Sequence, residues 1–338
     1  MERIDTHSHA IPARWRQHCM DLGYGDTDGI SMVQDWTVEA HLATMDKAKI
    51  SKSILSITSP GTHLKPGDDA FARQLTRETN EDLAEICAAH PDRFAFFASL
   101  PLPDVEGSLA EIDYALDRLG AVGFSVMTNA HAVYLGDPAL DRVFEKLNSR
   151  RAVVMMHPTC CRVNLPVANG VGVAPRAVAP LTQYPRPMLE FLFDTTRAVS
   201  NLILSGTVAR YQSITFVVPH CGAALPPVIE RCVGYTPRTV SPSVPITSDD
   251  VKHLFKTRFF FDLAGYPFPD QIHGLLRFTE PSRLLYGTDY PFYKAEAVYR
   301  LSGIMEQRAP EIFDDETRKG IFGANARRLL WPKLKSHA

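Results

Sequence analysis

The chain has 338 residues, of which 45% are hydrophobic and 22% charged, enough apolar material for a large core and too much for a disordered or fibrous chain. Thirty-six Lys and Arg against 38 Asp and Glu leave a net charge of −2, so the global basic field that non-specific nucleic-acid binding needs is missing. The six cysteines, Cys19, Cys87, Cys160, Cys161, Cys221 and Cys232, form no CxxC pair, and a chain this long needs no disulfide staples, which points to reduced thiols.

Met1 is followed at once by Glu2, Arg3 and a strand-like start. That start lacks the apolar core of a signal peptide, and no later run approaches the roughly 18 residues of a membrane span. The expectation is a cytoplasmic protein with no membrane partner. Short apolar runs then alternate with stretches of helical period. The strand candidates are Ile4 to His9, Lys52 to Ser59, Phe94 to Leu102, Ala121 to Thr128, Ala152 to His157, Ile214 to His220, Arg258 to Leu263 and Arg283 to Asp289. Most are rich in Val, Ile and Phe without polar alternation, as strands buried on both faces should be. Between them lie helical patterns such as Asp69 to Ala89 and Gly107 to Leu119, the latter closed by Gly120. A last helix covers roughly Asp314 to Leu330. Eight strand-helix pairs predict an α/β fold, one (β/α)₈ TIM barrel as a single domain over residues 1–338.

Two connections exceed what a barrel needs. Residues 159–187 carry Arg162, Arg176 and Arg186 but no Asp, Glu or Lys, and residues 235–247 carry Arg238 and no acidic group. One reading is a lid packed over the barrel mouth, with a cationic rim that favours an anionic substrate; the other is a pair of solvated loops with incidental arginines.

Four histidines, His7, His9, His157 and His220, fall at C-terminal ends of expected strands, and Asp289 ends the eighth. In such a barrel these ends meet at one mouth. His7 and His9 are two apart on a strand and share a side, with Thr6 and Ser8 turned away. Singly, each has an ordinary explanation: a His-x-His pair is common, a strand-end histidine is usually a satisfied core residue, and Asp289 could cap a helix. Together, two imidazoles from one strand, a third from across the barrel and a carboxylate make a set that suits Zn²⁺ or a similar divalent ion, with a position left for water or substrate.

Asp5-Thr6-His7-Ser8-His9, His157-Pro158, Pro219-His220-Cys221-Gly222, Gly287-Thr288-Asp289-Tyr290-Pro291 and Asn325-Ala326-Arg327-Arg328-Leu329-Leu330 resemble the amidohydrolase-2 group of the amidohydrolase superfamily. That group holds aminocarboxymuconate semialdehyde decarboxylase-like and aromatic acid decarboxylases, and the resemblance runs from residue 1 to about 330. The run from Pro187 to Arg197, with Ser59-Pro60-Gly61 and Ser99-Leu100-Pro101-Leu102-Pro103, is similar to 6-methylsalicylate decarboxylases. The resemblance implies a distorted TIM barrel and one divalent metal, Zn first and Mn or Mg next. It implies His7, His9, His157 and Asp289 as the ligands, with His220 an unliganded polar group beside them. It also implies a homodimer or homotetramer in which an arginine reaches the neighbouring site. Many hydrolytic relatives bridge two metals with a carbamylated lysine on strand four; Gly123 to Asn129 contains no lysine, which favours one metal and weakens the case for two-metal hydrolysis.

The reaction this implies is non-oxidative decarboxylation of an ortho-hydroxy aromatic carboxylic acid of the 6-methylsalicylate kind, a small anionic aromatic. Simple C–C cleavage would leave an unstabilised aryl carbanion, so the ring carbon is protonated first, with Asp289 delivering the proton and His220 shuttling it. A conflict lies inside this assignment, because a cation that binds Asp289 lowers its pKa while a donor needs a raised one; water at the metal acting with His220 is the other route. Arg197 is either a carboxylate clamp or a surface or interface arginine, and Phe193, Phe292 and Tyr290 are candidates for an aromatic wall. Cys160, Cys161 and Cys221 read as packing beside the ligands. A metal-dependent hydrolase of a lactone or amide is the competing enzyme, and a ligand-binding barrel without catalysis a third reading.

Overall fold

Eight parallel strands follow one another around a barrel in chain order: β1 Ile4–His9, β2 Lys52–Ser56, β3 Phe94–Ala98, β4 Gly123–Met127, β5 Val153–His157, β6 Thr215–Val218, β7 Phe259–Asp262 and β8 Leu284–Leu285. The structure, a computed structural model, describes residues 1–25, 36–167, 172–239 and 246–334, with the backbone alone at 236–239 and 331–334. Each strand bonds to the next. The seam between β8 and β1 is joined by the Thr6 N–H to Tyr286 O (3.0 Å), the Asp289 N–H to His7 O (2.7 Å) and the His9 N–H to Tyr290 O (2.7 Å). The α/β TIM barrel expected from the sequence is the fold observed. β1 and β5 end at His9 and His157 as expected, and the other six strands end earlier, because residues such as Thr58, Ser59 and Leu100 leave the ladder at the rim.

Two cores result from the strands' two faces. Ile4, Ile54, Phe97, Met155, Val217, Phe260 and Leu285 fill the lower lumen, with Ala326 and Leu330 of the last helix closing the bottom. The other faces pack against the helices through Phe96, Phe124, Phe216, Phe259 and Phe261 among others. Period-two alternation then carries three strands from core to rim on the same side: Val153, Met155, His157; Phe260, Asp262; and Leu285, Gly287, Asp289. β1 departs from this. Strict alternation from the inward Ile4 would turn Thr6 and Ser8 inward, but the register against β2 shifts between Asp5 and Ser8, and this irregularity turns His7 and His9 into the lumen.

The helix Asp69–Ala89 has the bounds expected, capped by Asp68, which accepts from the Phe71 N–H. The next helix is Val105–Asp117, two residues earlier than the Gly107 start read from periodicity, because Asp104 caps it by accepting from the Gly107 N–H at 3.1 Å. Gly120 adopts φ +70°, the left-handed conformation expected after that helix. The last helix is divided: Asp315–Lys319, a wide turn over Gly320–Ala324, then Asn325–Leu334.

The described part of 159–187 is an antiparallel hairpin, Arg162–Pro166 with Val173–Ala177, leading to the helix Arg186–Leu204. The loop expected from Tyr235 begins later, because the helix Leu225–Thr239 continues through the first five of those residues, with Ile229 and Val233 buried beneath it. Residues 240–245 and the Arg238 side chain lie outside the described residues. No helix of the described residues is long and apolar enough to cross a membrane.

Candidate metal centre

The structure brings His7, His9, His157, His220 and Asp289 together at the C-terminal mouth. Ligand atoms of His7, His9 and His157 lie within 4.8 Å of one another, as do those of His7, His220 and Asp289. The ring centroids of His7 and His9 are 5.1 Å apart and those of His9 and His157 4.8 Å. Each ring is oriented by its outer nitrogen. His7 Nδ1–H donates to Asp262 Oδ2 at 2.9 Å, His157 Nδ1–H to the Pro158 carbonyl at 2.7 Å, and His9 Nδ1 meets Ser56 Oγ at 3.2 Å. These contacts turn all three Nε2 atoms toward the centre, the arrangement in which outer partners fix the tautomer of metal-binding imidazoles.

What the Nε2 atoms meet there is incomplete. His7 Nε2 and His9 Nε2 are buried and make no well-formed hydrogen bond; the carboxylate oxygen Asp289 Oδ1 lies 3.6 and 3.2 Å from them. His157 Nε2 has only a long contact of 3.5 Å to Thr58 Oγ1. Buried polar atoms are normally paired, so three Nε2 atoms and a carboxylate oxygen that converge with only long contacts are a donor set that fits a divalent cation once His7 gives up its proton.

The two carboxylate oxygens of Asp289 face different groups. Oδ1 points to His7 and His9, and Oδ2 lies 3.5 Å from His220 Nε2. Burial would raise this carboxyl, but the His220 and His9 rings beside it and the charge on His7 hold it well below the usual carboxylate range. His7 is itself raised to about 9: burial opposes its charge, and Asp262, Asp289 and Asp5 outweigh that opposition. Burial drives His9 below its ordinary value and His157 well below. Asp262 is lowered, since His7 outweighs the effect of burial. Without a cation the cluster therefore holds its proton on His7, and a cation binding there must displace it.

Backbone strain accompanies these positions. His220 has φ +56° and Asp289 φ +59°, left-handed conformations that cost a non-glycine residue roughly 1–2 kcal/mol. Both are tied down, the His220 N–H by Asp262 Oδ1 at 3.1 Å and the Asp289 N–H by His7 O at 2.7 Å. Gly287 faces His7 closely: a Cβ on it would sit 2.9 Å from His7 Cβ.

The centre forms one end of a cavity of about 480 Å³. Its walls include Thr58, Ser59, Phe191, Leu192, Phe292 and Tyr293, with Pro185, Pro187 and Met188 toward the opening. Phe292 lines it, its ring 5.4 Å from that of His9. Arg197 and Phe193 do not reach it: they lie on other faces of the helix Arg186–Leu204, where Arg197 pairs with the buried Asp194 at 3.5 Å and Phe193 is 39% exposed. Tyr290 is buried against His41 and lines no part of the cavity. Of the two readings of the long connections, the cationic rim finds no support among the described residues: the cavity lining contains no Arg or Lys, and Arg162 borders a separate small pocket. Cys160 and Cys221 are buried beside the site and contribute no atom to either potential ligand group.

Asp262 escaped the sequence reading. Its signal was present: a carboxylate ending the otherwise apolar Phe259-Phe260-Phe261-Asp262 strand requires a partner, because a buried charge is seldom left unpaired. Gln271, which donates to the His220 carbonyl at 3.0 Å, and Tyr293 gave no such signal.

The sequence model of the amidohydrolase family matches residues 4–330. The 6-methylsalicylic acid decarboxylase of Penicillium expansum is 31% identical over 338 residues, covering 99% of this chain and 98% of that protein. The crystal structure of an amidohydrolase II superposes with a TM-score of 0.85 at 31% identity, over 97% of this chain and 99% of that one. A 5-carboxyvanillate decarboxylase from Novosphingobium aromaticivorans, crystallised with manganese and 4-hydroxy-3-methoxy-5-nitrobenzoic acid, shares the fold with a TM-score of 0.78 at 22% identity, over 97% of this chain and 95% of that one.

Proposed function

The chain belongs to the amidohydrolase family and is a carboxy-lyase, and we propose that its substrate is an aromatic acid with a hydroxyl ortho to the carboxyl, of the 6-methylsalicylate kind. In this reading His7, His9, His157 and Asp289 hold one divalent ion, and His220 stands beside it without ligating. The observation that carries the reading is the division of Asp289, one oxygen toward the histidine cluster and the other toward His220, at the floor of a cavity walled by Phe191, Leu192 and Phe292. The relative from Penicillium expansum supports the substrate class, and the manganese in the carboxyvanillate enzyme supports a divalent ion, Mn as well as Zn.

The bound ion would supply Lewis-acid polarisation and a fixed anchor for the substrate's oxygens. The chain's own residues do the rest. Phe292 and Phe191 confine a ring to the mouth and exclude water from it. Asp289 Oδ2 takes a proton from His220 Nε2 and passes it to the carboxyl-bearing ring carbon. That carbon gains one proton and loses CO₂, so the reaction balances without an oxidant. The division of Asp289 gives the two roles separate oxygens, Oδ1 toward the histidines and Oδ2 toward His220; because the carboxyl is held well below its usual range, Oδ2 carries the proton only in passing from His220 to the ring carbon. A homodimer or homotetramer belongs to the same reading, and the exposed Val163 and Leu165 on one face of the hairpin are candidates for its interface.

The test is a panel of salicylates and resorcylates assayed for CO₂ with and without chelator. Chelator-sensitive CO₂ release with recovery of the matching phenol is the expected result. Hydrolysis of lactones or amides with no CO₂ from any acid would replace this reading with the hydrolase.

A further inference from the structure

The cavity is larger than its proposed substrate needs. A cavity of about 150 Å³ suffices for benzene, or roughly 25 Å³ for each heavy atom, so the 11 heavy atoms of 6-methylsalicylate occupy about 275 Å³ on the same scale. About 480 Å³ is available, which leaves space for roughly eight further heavy atoms by that estimate. The lining contributed by the start of the helix Arg186–Leu204 is apolar, while Thr58, Ser59, Tyr266, Gln271 and Tyr293 bring polar groups elsewhere in the cavity. Pro185, Pro187, Met188, Phe191 and Leu192, all from the start of the helix Arg186–Leu204 and the residue before it, form the outer wall. No Lys, Arg or Glu lines the cavity among the described residues, and its one carboxylate, Asp289, belongs to the histidine end. Met188 is 65% exposed, so apolar surface continues from the interior to the opening.

A methyl substituent would leave this wall in contact with water. We infer that the natural substrate carries an unbranched or ring-borne apolar substituent of about four to eight carbons, seated on Pro185, Pro187, Met188, Phe191 and Leu192. This rests on the decarboxylase reading above and deepens it: the histidine end selects the ortho-hydroxy acid, and the outer wall selects the length of its apolar tail. Leu192 and Met188 are specificity-determining residues in this account and take no part in proton transfer.

The test uses the metal-loaded enzyme with 6-methyl-, 6-propyl-, 6-pentyl- and 6-heptylsalicylate, following CO₂. Burial of one methylene is worth about 0.8 kcal/mol, close to fourfold, and half that free energy at a partly wet wall is about twofold. The pentyl compound, four methylenes longer than the methyl, is expected to exceed it in kcat/KM by roughly 16- to 250-fold, chiefly through KM. Leu192→Trp, which fills the outer wall, and Met188→Glu, which places a charge at the exposed opening and leaves the core untouched, should each bring the pentyl-to-methyl ratio down toward one. A ratio of one or less in the unmodified enzyme, or a ratio unchanged in both variants, overturns the inference and leaves the decarboxylase reading standing. Absence of CO₂ from every member of the series overturns the reading itself.

Discussion

Replacing Asp262 with Asn tests how the centre is held together. Asp262 Oδ1 accepts from the His220 and Ala264 N–H groups, each at 3.1 Å, and Oδ2 accepts from His7 Nδ1–H at 2.9 Å. An asparagine keeps one acceptor oxygen, and two backbone donors claim it. The amide NH₂ then faces His7 Nδ1 and donates to it, which forces the proton of the neutral ring onto Nε2, toward the centre, where it blocks ligation. Loss of an outer partner of this kind typically weakens metal binding by about 10- to 100-fold. The pH at which this is measured matters. Because His7 is raised to about 9, a cation binding below that pH displaces one proton, so apparent affinity in the parent should rise about tenfold per pH unit between 7 and 9. In D262N the largest favourable influence on the His7 charge is gone, and this slope should flatten. Most of the deficit is therefore expected at pH 9, where proton competition costs the parent only about twofold. Titration against a chromophoric chelator at pH 7, 8 and 9 reads both quantities. A D262N protein that binds as tightly as the parent at pH 9, with the same pH slope, would refute the role given to Asp262.

Asp289→Asn should reduce CO₂ release by at least about 10³-fold, within the range general acid-base groups contribute, with an unchanged circular dichroism spectrum; near-normal release would remove Asp289 from the proton path. Removal of the metal by chelation should lower the Tm and readdition restore it, since a ligand at 100 times its Kd stabilises the native state by about 2.7 kcal/mol; calorimetry with and without chelator measures this. Gly287→Ala places a methyl 2.9 Å from His7 Cβ and should cost about 1–3 kcal/mol while reducing metal occupancy, read by denaturant unfolding and elemental analysis together. Phe260→Ala in the lower lumen should cost about 3–5 kcal/mol and leave the metal affinity of the remaining folded protein close to that of the parent.

Much of this was legible in the chain because a TIM barrel is regular. Apolar runs mark its strands, and their ends mark its mouth, so His157 and Asp289 could be placed by alternation from the core residues below them. His7 and His9 were placed on the right side, yet the reason lies in the irregularity between Asp5 and Ser8, which no periodicity reveals. Side chains on the helix after the hairpin were harder. Phe193 and Arg197 share a helix with Phe191 and Leu192, and a turn of about 100° per residue decides which of them sees the cavity; the rotation of that helix about its axis is fixed by packing of Ala198, Val199 and Leu202. The arginines of residues 159–187 pointed to a cationic rim, but loop composition carries no direction, and the apolar wall of the cavity comes from Pro185 and from Pro187, Met188, Phe191 and Leu192 at the start of the helix that follows.

The seam of the barrel joins residues 4–9 to residues 284–290, and the same two stretches bring His7, His9 and Asp289 to the centre. During synthesis His7 and His9 emerge first and wait for nearly the whole polypeptide before Asp289 arrives beside them. In the proposed centre, ion capture by all four groups would thus be a late event, reserved for molecules that have finished closing, and a ribosome-bound fragment ending before residue 284 would present His7, His9 and His157 without Asp289 to complete them.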